Sequence, residues 1–185
     1  VEPWFQDLGD IQDSSETLDN FGRALGAGDF DSDGYSDLVI GVPFEEISGN
    51  IVAGAFHVLY GSPLGLTATG DQLFSQLNVG GDLEAEDEFG SSFAAGDFDG
   101  DGYEDLAVGS PGENHEPSSS QDAGAVYALF GSPTGLSASG FFFQQSSVAG
   151  EFFGSSLAAG DFDADGRTDL VVAAPNNSET TTNAG

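Results

Sequence analysis

Asp29-Phe30-Asp31-Ser32-Asp33-Gly34-Tyr35-Ser36-Asp37 returns as Asp97-Phe98-Asp99-Gly100-Asp101-Gly102-Tyr103-Glu104-Asp105, and again as Asp161-Phe162-Asp163-Ala164-Asp165-Gly166-Arg167-Thr168-Asp169. Every copy has aspartate at its first, third, fifth and ninth positions and glycine at its sixth. A second similarity precedes each: Phe21-Gly22-Arg23-Ala24-Leu25-Gly26-Ala27-Gly28 is echoed from Phe89 and from Phe153. Three copies in one phase are an internal repeat. The copies lie 68 and 64 positions apart, from Asp29 to Asp97 and from Asp97 to Asp161. That interval is long for a solenoid turn and suits four short strands with generous loops, the unit of a propeller blade.

The sequence after each loop supports the blade. An apolar run follows, Asp37 to Pro43, Asp105 to Pro111 or Asp169 to Pro175, and proline stops the strand. After a variable polar stretch comes a second run, Ala53 to Gly61, matched by Ala123 to Gly131, rich in β-branched and aromatic residues. The turns Gly61-Ser62-Pro63-Leu64-Gly65-Leu66 and Gly131-Ser132-Pro133-Thr134-Gly135-Leu136 lead into an aromatic strand expected over Gln72–Gln76 and Phe141–Gln145. No amphipathic helical pattern occurs. The expected fold is therefore all-β, a β-propeller fragment of about three four-stranded blades. Its divisions are residues 1–20, the end of a preceding blade and a linker, then repeats at 21–88, 89–152 and 153–185, the last truncated. Trp4-Phe5-Gln6 resembles the closing strand of a preceding unit, and Asn183-Ala184-Gly185 falls where a next strand would start. Three open blades leave edge strands exposed, so about three or four further blades are expected from a longer parent, of which this chain reads as a processed or excised segment.

Composition narrows the chemistry. The chain has 185 residues, 38% of them hydrophobic, and 16 phenylalanines, enough for one sizeable core. It carries 32 acidic against 2 basic residues, a formal net charge of −30. Such a surface repels polyanions, which argues against nucleic acid and acidic membranes as partners. Without cysteine there are no disulfides, thiolate zinc sites or cysteine nucleophiles. No apolar stretch is long enough to insert into a membrane.

Four carboxylates within nine residues repel one another unless a cation satisfies them together. A hard divalent ion wants about 6–8 oxygens at about 2.3–2.6 Å, so calcium is the natural occupant. Glycine at the sixth position allows the chain to wrap around the ion, and the seventh residue can present its backbone carbonyl. The expected ligands are Asp29, Asp31, Asp33, Tyr35 and Asp37; Asp97, Asp99, Asp101, Tyr103 and Asp105; and Asp161, Asp163, Asp165, Arg167 and Asp169, with Tyr35, Tyr103 and Arg167 acting through their carbonyls. About three Ca2+ per chain follow. An EF-hand needs a bidentate acid at position twelve, where this chain has Ile40, Val108 and Val172, and it needs flanking helices. Oxygen-only donors disfavour zinc.

These residues carry a resemblance to the FG-GAP repeat family, which includes the propeller of integrin α subunits and many bacterial secreted proteins. The matching pieces are Phe21-Gly22, Phe89-Gly90 and Phe153-Gly154, the three Asp loops, and Gly41-Val42-Pro43, Gly109-Ser110-Pro111 and Ala173-Ala174-Pro175 in the Gly-Ala-Pro slot, which none of the three fills literally. The resemblance covers nearly the whole chain and implies a seven-bladed propeller with calcium at several blade hairpins, working in adhesion or ligand recognition.

Catalytic readings find little support. His57 matches Tyr127 of the next unit and reads as a packed strand residue, while His115 lies in a serine-rich loop and is expected to face solvent. Ser91 and Ser92 follow Gly90, but Ala94 stands where a Gly-x-Ser-x-Gly elbow needs glycine. Phe141, Phe142, Phe143, Phe152 and Phe153, with Phe74 and Phe89, read as packing between blades. Asn176-Asn177-Ser178 fits a glycosylation acceptor, a pattern too short to weigh much.

Two function classes remain: a calcium-binding module for adhesion to a protein or glycan ligand, itself no enzyme, and a non-catalytic propeller attached to a secreted hydrolase or other enzyme domain outside the segment. A third idea is adaptation to high salt, since the loop aspartates account for only twelve of the 32 acids. Weak calcium sites fill at extracellular, not cytosolic, calcium, so an extracellular or cell-surface location is expected.

Overall fold

A computed structural model describes residues 3–6, 11–13, 18–49, 51–114, 122–143 and 149–176. His115, Gln144, Gln145, Asn177, Ser178 and Asn183–Gly185 lie outside the described residues. The strands are β1 (Leu25–Gly28), β2 (Asp37–Val42), β3 (Glu46–Ile47), β4 (Ile51–Val52), β5 (Ala55–Tyr60) and β6 (Thr67–Phe74), then β7 (Ser92–Gly96), β8 (Asp105–Ser110), β9 (Ala125–Phe130), β10 (Ser137–Phe143), β11 (Ser156–Gly160) and β12 (Asp169–Ala173). A single helical turn, α1 (Gln76–Val79), follows β6.

Two antiparallel four-stranded sheets run β1-β2-β5-β6 and β7-β8-β9-β10, β11 and β12 begin a third, and β3 and β4 form a ribbon within the β2–β5 connection of the first. These are propeller blades, and the fold is all-β as the repeat demands. In each blade the Asp loop is the hairpin between the first two strands. Because the strands alternate in direction, the Asp loop and the Pro-Gly turn after the third strand share one end of the blade. The connections at 43–54 and 75–91 occupy the other.

Side-chain alternation places the core between blades. Val39, Phe56, Val58 and Phe74 of the first sheet pack with Leu106, Val108, Tyr127 and Leu129 of the second. Ala107 and Val126, on the other face of the second sheet, meet Phe153, Leu157, Leu170 and Val172 of the third. Ile40 and Leu59, on the far face of the first, are covered by Ile11, Trp4 and Phe21. Trp4-Phe5-Gln6 is irregular rather than a strand, though Gln6 is buried.

Three expectations need adjustment. The fourth strands start earlier than the aromatic run, at Thr67 and Ser137, and in each a register shift separates that start from the aromatic run. Gln76 belongs to α1, whose turn is closed by the reciprocal Ser75–Asn78 capping bonds and by Gly80 in the left-handed region. Phe74, Phe89 and Phe153 of the aromatic cluster are core, whereas Phe142 and Phe143 are half-exposed, at 49% and 50%.

Glycine has a specific task where blades meet. Gly22, Gly90 and Gly154 have φ of +82°, +88° and +89° and donate to the carbonyls of Gly41, Gly109 and Ala173. A Cβ on Gly90 would lie 2.5 Å from Ala55 O of the preceding blade, and one on Gly41 would overlap Gly90 O of the following blade. The Gly-Ala-Pro slot is thus the last part of a strand against which the next blade lays its backbone. Gly90→Ala combines left-handed strain with backbone overlap and is expected to destabilise by about 2 kcal/mol or more. Gly70→Ala, at φ +83° in open space, should cost only about 1 kcal/mol. Urea unfolding of the two variants checks the difference.

Candidate metal centre

The three Asp loops are wired alike. In the first, the Asp33 N–H donates to Asp29 Oδ1 at 3.0 Å and Asp31 Oδ1 at 3.1 Å, the Gly34 N–H to Asp29 Oδ2 at 3.0 Å, and the Tyr35 N–H to Asp33 Oδ1 at 2.9 Å. Asp97, Asp99 and Asp101 accept the same bonds from Asp101, Gly102 and Tyr103. Asp161, Asp163 and Asp165 accept them from Asp165, Gly166 and Arg167. Short aspartate side chains bond readily to backbone two to five residues on, so the loop curls and its carboxylates converge.

Convergence is tightest for Asp29, Asp31 and Asp33; for Asp97, Asp99 and Asp105; and for Asp161, Asp163 and Asp169, each trio offering oxygens within 4.8 Å of one another. Asp37, Asp101 and Asp165 stand outside those trios. The ninth aspartate has another task. Asp37 accepts from the Phe30 N–H through Oδ2 and from the Gly61 N–H through Oδ1, both at 2.9 Å, and Asp105 does the same with Phe98 and Gly131. Asp169 accepts from Phe162. Asp37 and Asp105 are almost wholly buried. Burial pushes the Asp37 carboxyl up to about 6 against the pull of its two N–H donors, and raises Asp105 for the same reason. Asp31 is raised by burial and by its aspartate neighbours.

The donor set fits a hard divalent cation. All donors are oxygens, each carboxylate oxygen that accepts one N–H keeps a further lone pair, and 2 basic side chains cannot neutralise twelve loop aspartates. Arg167 is exposed and extends toward the second loop, its Nε 3.9 Å from where a Cβ on Gly100 would stand.

Neighbouring loops touch. Glu104 Oε2 accepts from the Asp29 N–H at 2.8 Å, Ser32 Oγ donates to Gly102 O, the Ser132 N–H donates to Phe30 O, and the Thr168 N–H to Asp97 O. His57 is fully buried, its Nδ1 3.4 Å from Asp71 Oδ2, and burial lowers its pKa. It is a packed strand residue, as its match to Tyr127 suggested.

Residues 21–59, 89–129 and 153–185 match the family model for the FG-GAP repeat. The chain belongs to the FG-GAP repeat family. Its similarity to phosphatidylinositol-glycan-specific phospholipase D of Bos taurus is 37% identity over 158 residues, 83% of this chain and 18% of the relative. Integrin alpha-PS2 of Drosophila melanogaster is 33% identical over 168 residues, 83% of this chain and 11% of the relative. Integrin alpha-5 of Xenopus laevis is 34% identical over 167 residues, 83% of this chain and 14% of the relative. The chain thus spans less than a fifth of each of these FG-GAP relatives. Among the described residues no helix is long and apolar enough to cross a membrane.

Two features of the FG-GAP unit escaped the sequence reading. The fourth loop position is left-handed in every copy, with φ of +56° at Ser32, +82° at Gly100 and +61° at Ala164. Gly100 was the visible hint. Ala164→Gly relieves that strain and is expected to stabilise by about 1 kcal/mol in thermal melts. The second feature is a set of buried acids at the opposite end of the blades. Asp19, Asp87 and Glu151 stand two residues before each Phe-Gly step, and Glu45 and Glu113 stand two after Pro43 and Pro111. Their recurrence in phase was available in the sequence.

Burial pushes Asp87 up to about 7 and Glu113 to about 8, Glu113 helped by the Asp87 charge. Burial also pushes Glu45 to about 8. A carboxyl whose folded pKa exceeds its unfolded value holds its proton more tightly in the native state. Its contribution is complete below about pH 4 and is lost as pH rises through the folded pKa. With chelator present, the melting temperature should fall between about pH 4 and 8, and Glu113→Gln should flatten that fall.

Proposed function

We propose that this chain is a calcium-binding part of an extracellular β-propeller that presents its loops to a protein or glycan ligand, with calcium fixing the blade hairpins. The observation that carries this reading is that a trio of loop carboxylates converges at the same place in the blade three times over. Asp29, Asp31, Asp33, Asp37 and the Tyr35 carbonyl would hold one ion. Asp97, Asp99, Asp101, Asp105 and the Tyr103 carbonyl would hold a second, and Asp161, Asp163, Asp165, Asp169 and the Arg167 carbonyl a third. The ion's chemistry is charge neutralisation, and water activation has no part in it. An ion bound only by the folded loop stabilises the fold by roughly 2.7 kcal/mol per site at about one hundred times its dissociation constant. The remaining blades of the parent, seven in all by analogy with the family, would close the ring.

A second reading has its own support. The similarity to phosphatidylinositol-glycan-specific phospholipase D covers 18% of that relative, so a propeller of this kind occurs within a chain named as an enzyme. We propose that any catalytic domain of the parent lies outside these residues; among the described residues His57 is buried against Asp71 rather than against a nucleophile. The sequence flanking this segment in the full gene separates the two readings.

The binding test is a calorimetric calcium titration of chelator-stripped protein in low salt and in high NaCl. The loops are expected to take up about three ions, Asp33→Ala and Asp101→Ala each removing one, with a rise in melting temperature that NaCl cannot reproduce. Unchanged stoichiometry in both variants overturns the ligand assignment.

A further inference from the structure

The first two Asp loops are alike in wiring, sharing four backbone bonds, but the blades beside them make them unlike in charge. The eighth loop position of each following blade reaches back to the first aspartate of the loop before it. Glu104 Oε2 accepts from the Asp29 N–H at 2.8 Å, and the Thr168 N–H donates to Asp97 O at 3.1 Å. In the first case the contact brings a side-chain carboxylate. Glu104 is half-buried, and its Oε2 lies 2.7 Å from where a Cβ on Gly28 would stand, so glycine at that position is what admits it. Asp29 N is three bonds from Asp29 Cγ, which places the added charge beside the first carboxylate cluster.

At the second loop no carboxylate arrives. The Thr168 side chain takes the corresponding place, against Gly96. The residue before it brings a guanidinium instead. Arg167 Nε is 3.9 Å from where a Cβ on Gly100 would stand, and the Gly100 N–H donates to Asp97 Oδ1 at 2.7 Å. Gly100 lies between Asp99 and Asp101, so Arg167 stands at the rim of the second cluster. It is one of only 2 basic side chains in the chain, and the other, Arg23, lies over the Phe44 ring.

We propose that Glu104 and Arg167 set unequal cation affinities in neighbouring Asp loops, Glu104 strengthening the first and Arg167 weakening the second, so that the second loop empties before the first as calcium falls. The inference rests on the Asp-loop reading above and names the residues that grade it. A further carboxylate a few ångström from a bound cation deepens its potential well, and a guanidinium at similar range repels it. Arg167 is exposed, so its effect is the smaller and fades with salt, whereas the half-buried Glu104 is screened less. Emptying the second loop first would loosen Asp97 and with it the bond from Thr168. The contact between the second and third blades would then yield while that between the first and second, at Asp29, is still held.

The test titrates Ca2+ into the chelator-stripped full chain and follows the ring signals of Tyr35 and Tyr103, one in each loop, assigned with Tyr35→Phe and Tyr103→Phe. Tyr35 is expected to reach its midpoint at the lower calcium concentration. Glu104→Gln keeps an acceptor for the Asp29 N–H and removes the charge, so a merely structural link would leave both midpoints in place. The expected result is a several-fold rise in the Tyr35 midpoint. Arg167→Gln is expected to lower the Tyr103 midpoint about threefold in low salt and less in high NaCl. Coincident midpoints that neither substitution moves overturn the proposal. Should Glu104→Gln fail to fold, Arg167→Gln, an exposed side chain, decides alone, and an unmoved Tyr103 midpoint overturns the proposal. The absence of a saturable shift at both rings overturns the Asp-loop reading itself, and the inference with it.

Discussion

One buried carboxylate holds the Asp-loop end of each four-stranded blade together. Asp37 sits at the first position of β2 and accepts one N–H from the loop, at Phe30, and one from the end of the third strand, at Gly61; Asp105 repeats this with Phe98 and Gly131. Loop, second strand and third strand are thereby fixed around a single desolvated charge. Two charge-assisted bonds stabilise that charge, yet burial still pushes the Asp37 carboxyl to about 6, so the N–H donors do not fully offset the lost water. The remaining deficit is of the sign that a nearby cation would relieve.

From this anchor the loops reach one another. Because Asp37 holds Phe30 in place, the Phe30 carbonyl can receive the Ser132 N–H of the next blade, and the Asp29 N–H can reach Glu104. Thr168 and Asp97 continue the contact to the third blade. The loop end is therefore a continuous hydrogen-bonded belt. What fixes one loop restricts its neighbours, a nearest-neighbour coupling of the kind repeat architectures favour.

Much of this was legible in the sequence, because the blade depends on periodicities a sequence displays. The phase of Asp29, Asp97 and Asp161 gave the repeat. The alternation of Leu38, Val39 and Ile40 reflects the two faces of β2, one toward Ile11 and one toward the next blade. Hidden were the features that exist only once two blades meet. Gly41 looks like part of a strand-ending turn until Gly90 of the next blade is laid against it. Phe142 and Phe143 have the composition of core but lie where only part of each ring is covered. Gln76 reads as the end of an aromatic strand, and becomes the start of a helical turn only because Ser75, Asn78 and Gly80 cap it locally.

The acids outside the loops bear on why the chain is so negatively charged. Adaptation to high salt places carboxylates where water and counterions reach them, because a solvated surface charge is what keeps such a protein soluble. Asp19, Glu45, Asp71, Asp87, Glu113 and Glu151 are instead buried. Asp71 at least faces His57, but both oxygens of Glu151 and one of Asp87 have no partner among the described residues. Desolvated carboxylates gain nothing from bulk salt and are costly without a proton or an ion beside them. General acidity thus accounts for the exposed remainder at most. The buried acids, like the loop aspartates, are explained by chemistry at defined places in the blade.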